Sequence, residues 1–180
     1  MNSLISLHNS IFARVERLDS LMPLLARFIF AAVLFLYFWN SGLTKVGDGL
    51  FGIFQPSTGA YAQIFPKAFE AVGYDTSAFG FFHWLVVFGG TVAEFLLPIA
   101  IVLGFFTRLA SVGMMGFVVV QSLTDIYGHG ADEKTIGAWF DRLSDGHIMD
   151  QRAFWMFLLL VLVVKGGGSL SLDRVIGRVN

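Results

Sequence analysis

Apolar residues in this chain fall in long blocks, with polar positions pushed to the block ends. The longest, 78–103, is a run of about 25 residues in which His83 and Glu94 are the only ionisable groups, and a block of that kind predicts a membrane-spanning helix. Three shorter blocks, 23–43, 109–126 and 152–168, predict three more spans. Together they predict an all-α protein, an integral membrane four-helix bundle occupying 22–175, with a short tail at 176–180. Ahead of the bundle, Ile5, Phe12 and Val15 recur at helical spacing with Leu4, Leu7, Ile11 and Leu18. His8, Arg14, Glu16 and Arg17 stand between them. This pattern over 1–21 predicts an amphipathic helix lying at the membrane interface, with packing on the bundle or on a partner subunit as the alternative.

The links differ in character. The connection 45–77 is rich in Gly and Phe, which predicts a segment lying on or dipping into the interface. Gly104-Phe105-Phe106-Thr107-Arg108 predicts a tight turn between the second and third spans, and 127–150 reads as a polar, acidic loop. The fourth span ends at Gly166-Gly167-Gly168. That run follows a span and lacks a lysine-serine ending, so it reads as a helix terminator and not a phosphate loop.

Composition agrees with a lipid environment: 56% of the 180 residues are hydrophobic and 14% charged, whereas a soluble domain carries about 25% charged residues. A net charge of −1 gives no electrostatic case for nucleic acid. The absence of cysteine excludes disulfides and thiolate chemistry by this chain itself. The N-terminus does not read as a cleaved signal, since no small-x-small pattern closes its apolar region. Four spans put both termini on one side. The larger share of the 12 lysines and arginines falls on that side, which predicts cytoplasmic termini. Trp39, Trp84, Tyr127 and Trp155 all fall at the opposite ends of their spans, as an aromatic belt would.

A carboxylate at bilayer depth is costly and faces the bundle interior with a partner or a function. At ~1.5 Å rise per residue, Glu94 lies roughly 13 Å from the inner end of its span and Arg27 about 5 Å from the start of the first. An Arg27–Glu94 pair is therefore expected, either fixing helix register or serving proton exchange. Burial opposes ionisation of Glu94 while a neighbouring arginine favours it. A second polar layer lies nearer the outside: Asn40, Lys45, His83, Gln121, Asp125 and His129. Lys45 and Asp125 end their spans at similar height and are expected to pair. Trp39, His83, Trp84 and Gln121 could line a quinone headgroup pocket, or could form an ordinary interfacial belt. The histidines lack metal-site spacing, so no metal site is expected.

Several local patterns recur in order: Arg27 opening span one, Ser41-Gly42-Leu43-Thr44-Lys45 closing it, and Glu94-Phe95-Leu96-Leu97-Pro98 within span two. The Gly104–Arg108 turn and Ser169-Leu170-Ser171-Leu172-Asp173-Arg174 follow. This set resembles the DoxX family of four-span bacterial membrane proteins over most of 24–175. The resemblance implies a multi-pass protein of the bacterial inner membrane. A related DoxD-like branch forms the membrane subunit of a thiosulfate:quinone oxidoreductase, and other DoxX-like proteins are linked to thiol and oxidative-stress complexes. The function expected from it is a membrane subunit or anchor of a quinone-linked redox system. Glu94 and Arg27 would be the central catalytic pair, with Lys45 and Arg108 at the two surfaces and Asn40, His83, Trp84 and Gln121 contacting substrate. Such a chain holds no covalent cofactor and needs a soluble redox subunit. The alternative is a non-enzymatic carrier or assembly scaffold for a small molecule, peptide or metal. Homo-oligomerisation stays open.

Overall fold

The computed structural model describes residues 2–177; residue 1 and 178–180, with Arg178, lie outside the described residues, as do the side chains of Asn2, Ser3, Arg14, Val15 and Arg17. Four helices are long and apolar enough to cross a membrane: Leu4–Leu43, Phe81–Leu103, Thr107–Gly128 and His147–Lys165. No strand occurs among the described residues. The protein is an all-α, integral membrane four-helix bundle.

The first of these runs is longer than a bilayer needs. Its 40 residues would extend about 60 Å against a hydrocarbon core of about 30 Å. It divides into α1 (Asn2–Glu16), a 3₁₀ turn (Arg17–Leu21), α2 (Met22–Phe30), a π turn (Ala31–Phe35) and α3 (Leu36–Leu43). Along α1 the side chains of Leu4, Ile5, Leu7, Ile11 and Phe12 are all exposed. Burial begins at α2, where Ala26, Phe30, Leu34, Phe38 and Gly42 recur every fourth residue. A straight α-helix repeats every 3.6 residues, so a strict period of four drifts off one face. The π turn widens the helix at the middle of this series and keeps the residues pointing inward.

The loop after span one, expected at the membrane interface, packs part of its apolar content against α6. α4 (Thr58–Ile64) and α5 (Pro66–Ala71) bring Ala60, Tyr61 and Phe69 against Val87 of α6 (Phe81–Leu103). α6 buries Val87, Thr91, Glu94, Pro98 and Ile101, a single stripe at alternating steps of four and three that admits one carboxylate among apolar neighbours. Gly104 in the left-handed conformation ends α6 and turns the chain into α7 (Thr107–Leu123). A π turn, Thr124–Gly128, prolongs α7 beyond the expected end of the third span. After α8 (Glu133–Ile136), another π turn, His147–Gln151, leads into α9 (Arg152–Lys165), and α10 (Leu172–Ile176) closes the described chain. The fourth span is thus displaced from the expected 152–168: it begins earlier and stops at Lys165, because Gly166 takes a positive φ of 76°.

α2 packs on α9, α3 on α6, α6 on α7, and α7 on α9, so the four spans close a ring. Phe30, Leu34, Phe38, Ile101, Met114, Leu159 and Leu162 fill its centre. Phe28, Leu36, Phe82, Leu109, Phe154 and Phe157 face outward, where the solvent of a membrane protein is hydrocarbon.

Candidate functional site

The helix ends on the side of the termini are tied by a closed polar knot. Arg27 reaches out of α2 and donates from Nε to Ile101 O at 3.0 Å and from Nη2 to Val102 O at 2.6 Å. Its Nη1 donates to Gly167 O at 3.0 Å and to Leu170 O. The last carbonyls of a helix have no intrahelical partner, and a guanidinium carries five donors in a fixed fork. One side chain therefore joins the end of α6, where Ile101 O also accepts from Gly104 N at 3.1 Å, to the loop between α9 and α10. Asp173 does the reverse for the start of α7: it accepts from Phe106 N at 2.6 Å, Thr107 N at 2.9 Å and Thr107 Oγ1 at 2.6 Å. Two glycines make room. A Cβ at Gly104 would lie 2.5 Å from Ser171 Cβ and 2.9 Å from Arg27 Cζ, and one at Gly167 would lie 2.6 Å from Thr107 Oγ1.

Arg27 is thus not the partner of Glu94. Its guanidinium turns toward Ile101 and Val102, seven residues along α6, or roughly 10 Å from Glu94. Carbonyls at the end of α6 and in the loop after α9 lie within its reach and the carboxylate does not. Glu94 pairs instead with Lys45, which sequence reasoning placed at a surface. Lys45 Nζ stands 3.0 Å from both Glu94 oxygens, with the two side chains only 6% and 4% exposed. Ser41 Oγ donates to Glu94 Oε1 at 2.9 Å and accepts from Lys45 Nζ at 2.8 Å. The helices meet here because Gly42 has no side chain; a Cβ would lie 2.7 Å from the Phe95 ring. Pro98 stands one turn past Glu94 and cannot donate to its carbonyl, which loosens α6 at the same level.

Lys45 is not the partner of Asp125 either. Arg152 at the start of α9 holds Asp125 at 2.5 Å and donates to Ser122 Oγ at 2.8 Å, because α7 and α9 are adjacent and both are widened by π turns at this level.

A cavity of about 550 Å³ opens beside the Lys45–Glu94 pair. Gly89, Gly90 and Ala93 of α6 and Gly113 and Gly116 of α7 create it, since small residues on two facing helices leave space between them. Tyr37, Ser41, Lys45, Glu94, Gln121, Asp125 and His129 supply its polar lining. Of the expected contact residues, Lys45 and Gln121 reach this space. Asn40 is exposed on α3, and Arg108 is exposed beside Gly166 at the terminal side. Trp84 donates to Phe54 O at 3.0 Å, and His83 stacks on Phe79 with ring centroids 4.3 Å apart. Trp39 packs edge-on against Phe95. These side chains form an aromatic shell elsewhere and do not line the cavity. Sequence reasoning missed Ser41 and Tyr37; the glycines at 89, 90, 113 and 116 were the available signal.

The family model for DoxX matches residues 22–124, from the start of α2 through α7. The chain belongs to the DoxX family. The matched stretch contains Arg27, the Ser41–Lys45–Glu94 cluster and most of the cavity wall, whereas Asp173 and Gly167 lie beyond it. No curated protein and no solved structure matches this DoxX chain.

Among the described residues no group of three His, Cys, Asp or Glu is placed to hold a metal ion. The DoxX cavity is instead an ion pair at the wall of a mainly apolar space. It can hydrogen-bond a small polar headgroup and hold or exchange a proton at Glu94.

Proposed function

We propose that this DoxX protein is the membrane subunit or anchor of a quinone-linked redox system in a bacterial inner membrane, with both termini cytoplasmic and the headgroup bound beside Glu94. The observation that carries the reading is the cavity: a buried carboxylate, an ammonium, an amide and a phenol converge on a largely apolar space between spans. Its volume of about 550 Å³ suits a small ring with an apolar tail. A bound quinone would supply the two-electron chemistry. The protein's own residues would orient the ring through Gln121 and Tyr37 and hold a proton at Glu94. With no cysteine in the chain, electrons would pass to or from a soluble partner.

Gly116 lines the cavity, and a Cβ there meets nothing within 4 Å, so Gly116→Leu fills the space without displacing the helix. Protein purified in native lipid nanodiscs is expected to retain quinone, or to bind a short-chain analogue. Gly116→Leu should lose that binding, and Glu94→Gln should lower partner-coupled turnover about tenfold or more, the range for a lost charged hydrogen bond. Absence of quinone from the wild-type protein, with no effect of either substitution on turnover, would overturn the reading.

A further inference from the structure

The cavity has two unlike ends. Along α7 and its π-turn extension the lining is polar from His129 through Asp125 to Gln121, and apolar from Val120 to Gly113. From rim to floor this is about 24 Å of helix. At the rim Gln63 and His129 are exposed, and His129 Nε2 lies 3.0 Å from Gln63 O. One flank is open as well. Gly89 of α6 and Gly113 and Gly116 of α7 line the cavity and are themselves exposed, on the surface that lipid covers.

The floor is closed. Lining residues stop at Leu97 on α6, which ends at Leu103, and at Gly113 on α7, which starts at Thr107. Each helix thus keeps about 9 Å of its length between the cavity and the terminal side. Ala26, Ile101, Ala110 and Leu162 pack this layer as part of one buried cluster. Its polar side chains make no path through it. Thr107 Oγ1 is bound to Asp173, and Ser111 Oγ is buried with no partner among the described residues. A buried water needs about two or more polar partners, so a single hydroxyl does not hold a file of them. Beneath the layer the Arg27 and Asp173 knot ties the helix ends together, with no room for a Cβ at Gly104.

We infer that the cavity is a one-ended vestibule: water and small polar molecules enter it from the loop side, an apolar tail passes out through the α6–α7 flank, and nothing crosses to the terminal side. The site therefore takes a membrane-soluble amphiphile whose polar head is exchanged on the loop side, and it is not a conduit. A carrier has to open toward each side in turn. Here the terminal side has no gate, because Arg27 bonds together the elements that would have to part. That the amphiphile is a quinone rests on the quinone-linked reading; the sidedness rests on the cavity alone.

The chain has no cysteine, so a single introduced thiol reports its own access. Ala93→Cys and Gly116→Cys place thiols on facing walls of the cavity, and Phe140→Cys and Val175→Cys are exposed controls for the loop side and the terminal side. The full chain in sealed vesicles of each orientation is treated with a charged, membrane-impermeant methanethiosulfonate, and modification is read by intact mass. Both wall thiols are expected to react about tenfold or more faster from the side that labels Phe140→Cys, because a charged reagent does not enter the apolar layer without losing its hydration. Using two walls keeps the test valid if one variant fails to fold. Comparable rates from the two sides overturn the vestibule, and so does failure of the wall thiols to react from either side while the controls react. A short-chain quinone analogue should slow the loop-side reaction. One-sided reaction that the analogue leaves unchanged supports the vestibule and overturns the quinone reading; two-sided reaction slowed by the analogue does the opposite.

Discussion

At the terminal end of the bundle, Arg27 gives its guanidinium to four main-chain carbonyls; near the loop end, Lys45 gives its ammonium to one serine and one carboxylate. Both cations are buried, and each answers the cost of burial differently. The arginine meets acceptors that belong to the backbone and cannot be mutated away. It closes the space around it, with Gly104 and Gly167 letting the chains touch. The lysine meets an acid on a neighbouring helix, at a level where the missing side chains of Gly89, Gly90 and Gly116 leave open space beside the pair. A cation satisfied by helix ends makes a seam, and a cation satisfied by a carboxylate beside open space makes a site.

That contrast can be broken by substitution. Removing one member of a buried ion pair costs roughly 3–5 kcal/mol, while replacing both with apolar groups of similar size is close to neutral. Lys45→Met is therefore expected to destabilise the protein by about that amount, and adding Glu94→Gln should recover most of it. Arg27→Met should cost a comparable ~3 kcal/mol by leaving helix-end carbonyls bare, and Glu94→Gln should not rescue it. Reversible unfolding in mixed micelles measures all four variants. Rescue of Arg27→Met by Glu94→Gln would mean that the two ends are one network.

A smaller effect sharpens the account of the terminal seam. Asp173→Ala removes the cap from Phe106 N and Thr107 N and should cost about 1–2 kcal/mol. Quinone-analogue affinity should stay within twofold, because the seam lies away from the cavity. A parallel loss of binding would show that sealing this end shapes the cavity.

The smallest effect concerns the loop between the third and fourth spans, where Asp132 caps α8 by accepting from Thr135 N at 2.8 Å. Backbone and side-chain hydrogen bonding to Thr135 holds this carboxyl below its ordinary value of 3.8, against a minor opposing effect of burial. A carboxyl lowered in the folded state contributes stability above its unfolded value, and that contribution disappears as pH falls through the folded value. The Thr135 amide is thus expected to stay protected from hydrogen exchange through the ordinary carboxylate range and to lose protection only as pH falls through the lowered folded value, below 3.8. Protection independent of pH in Asp132→Asn, with an unchanged profile in the wild type, would show that the cap contributes nothing.

Much of the architecture was legible from residue order. The block 78–103 marked its span because roughly 20 apolar residues have no other stable solvent, and Gly166 marked the end of the fourth because glycine reaches positive φ cheaply. Glu94 was legible as an interior residue for the same energetic reason. Its partner was not. Axial rise placed Arg27 and Glu94 close enough to suggest a pair, but rise says nothing about which way a long side chain turns, and carbonyls at the end of α6 and in the loop after α9 drew Arg27 the other way. The expected quinone pocket of Trp39, His83, Trp84 and Gln121 shared a level in the membrane without sharing a face, so only Gln121 entered the cavity.

Hydropathy and glycine placement sufficed to dictate four spans, a buried acid and a turn after Leu103, because these follow from the transfer cost and backbone freedom of individual residues. Which cation reaches Glu94, and whether the helices beside it touch or stand apart, depended on packing. Gly42 admits the Phe95 ring, the π turn at 31–35 holds the face of the first span, and the re-entrant α4–α5 segment packs against α6 on the loop side of Glu94. The first and last of these are contacts between elements distant in the chain, and no single stretch of residues encodes them.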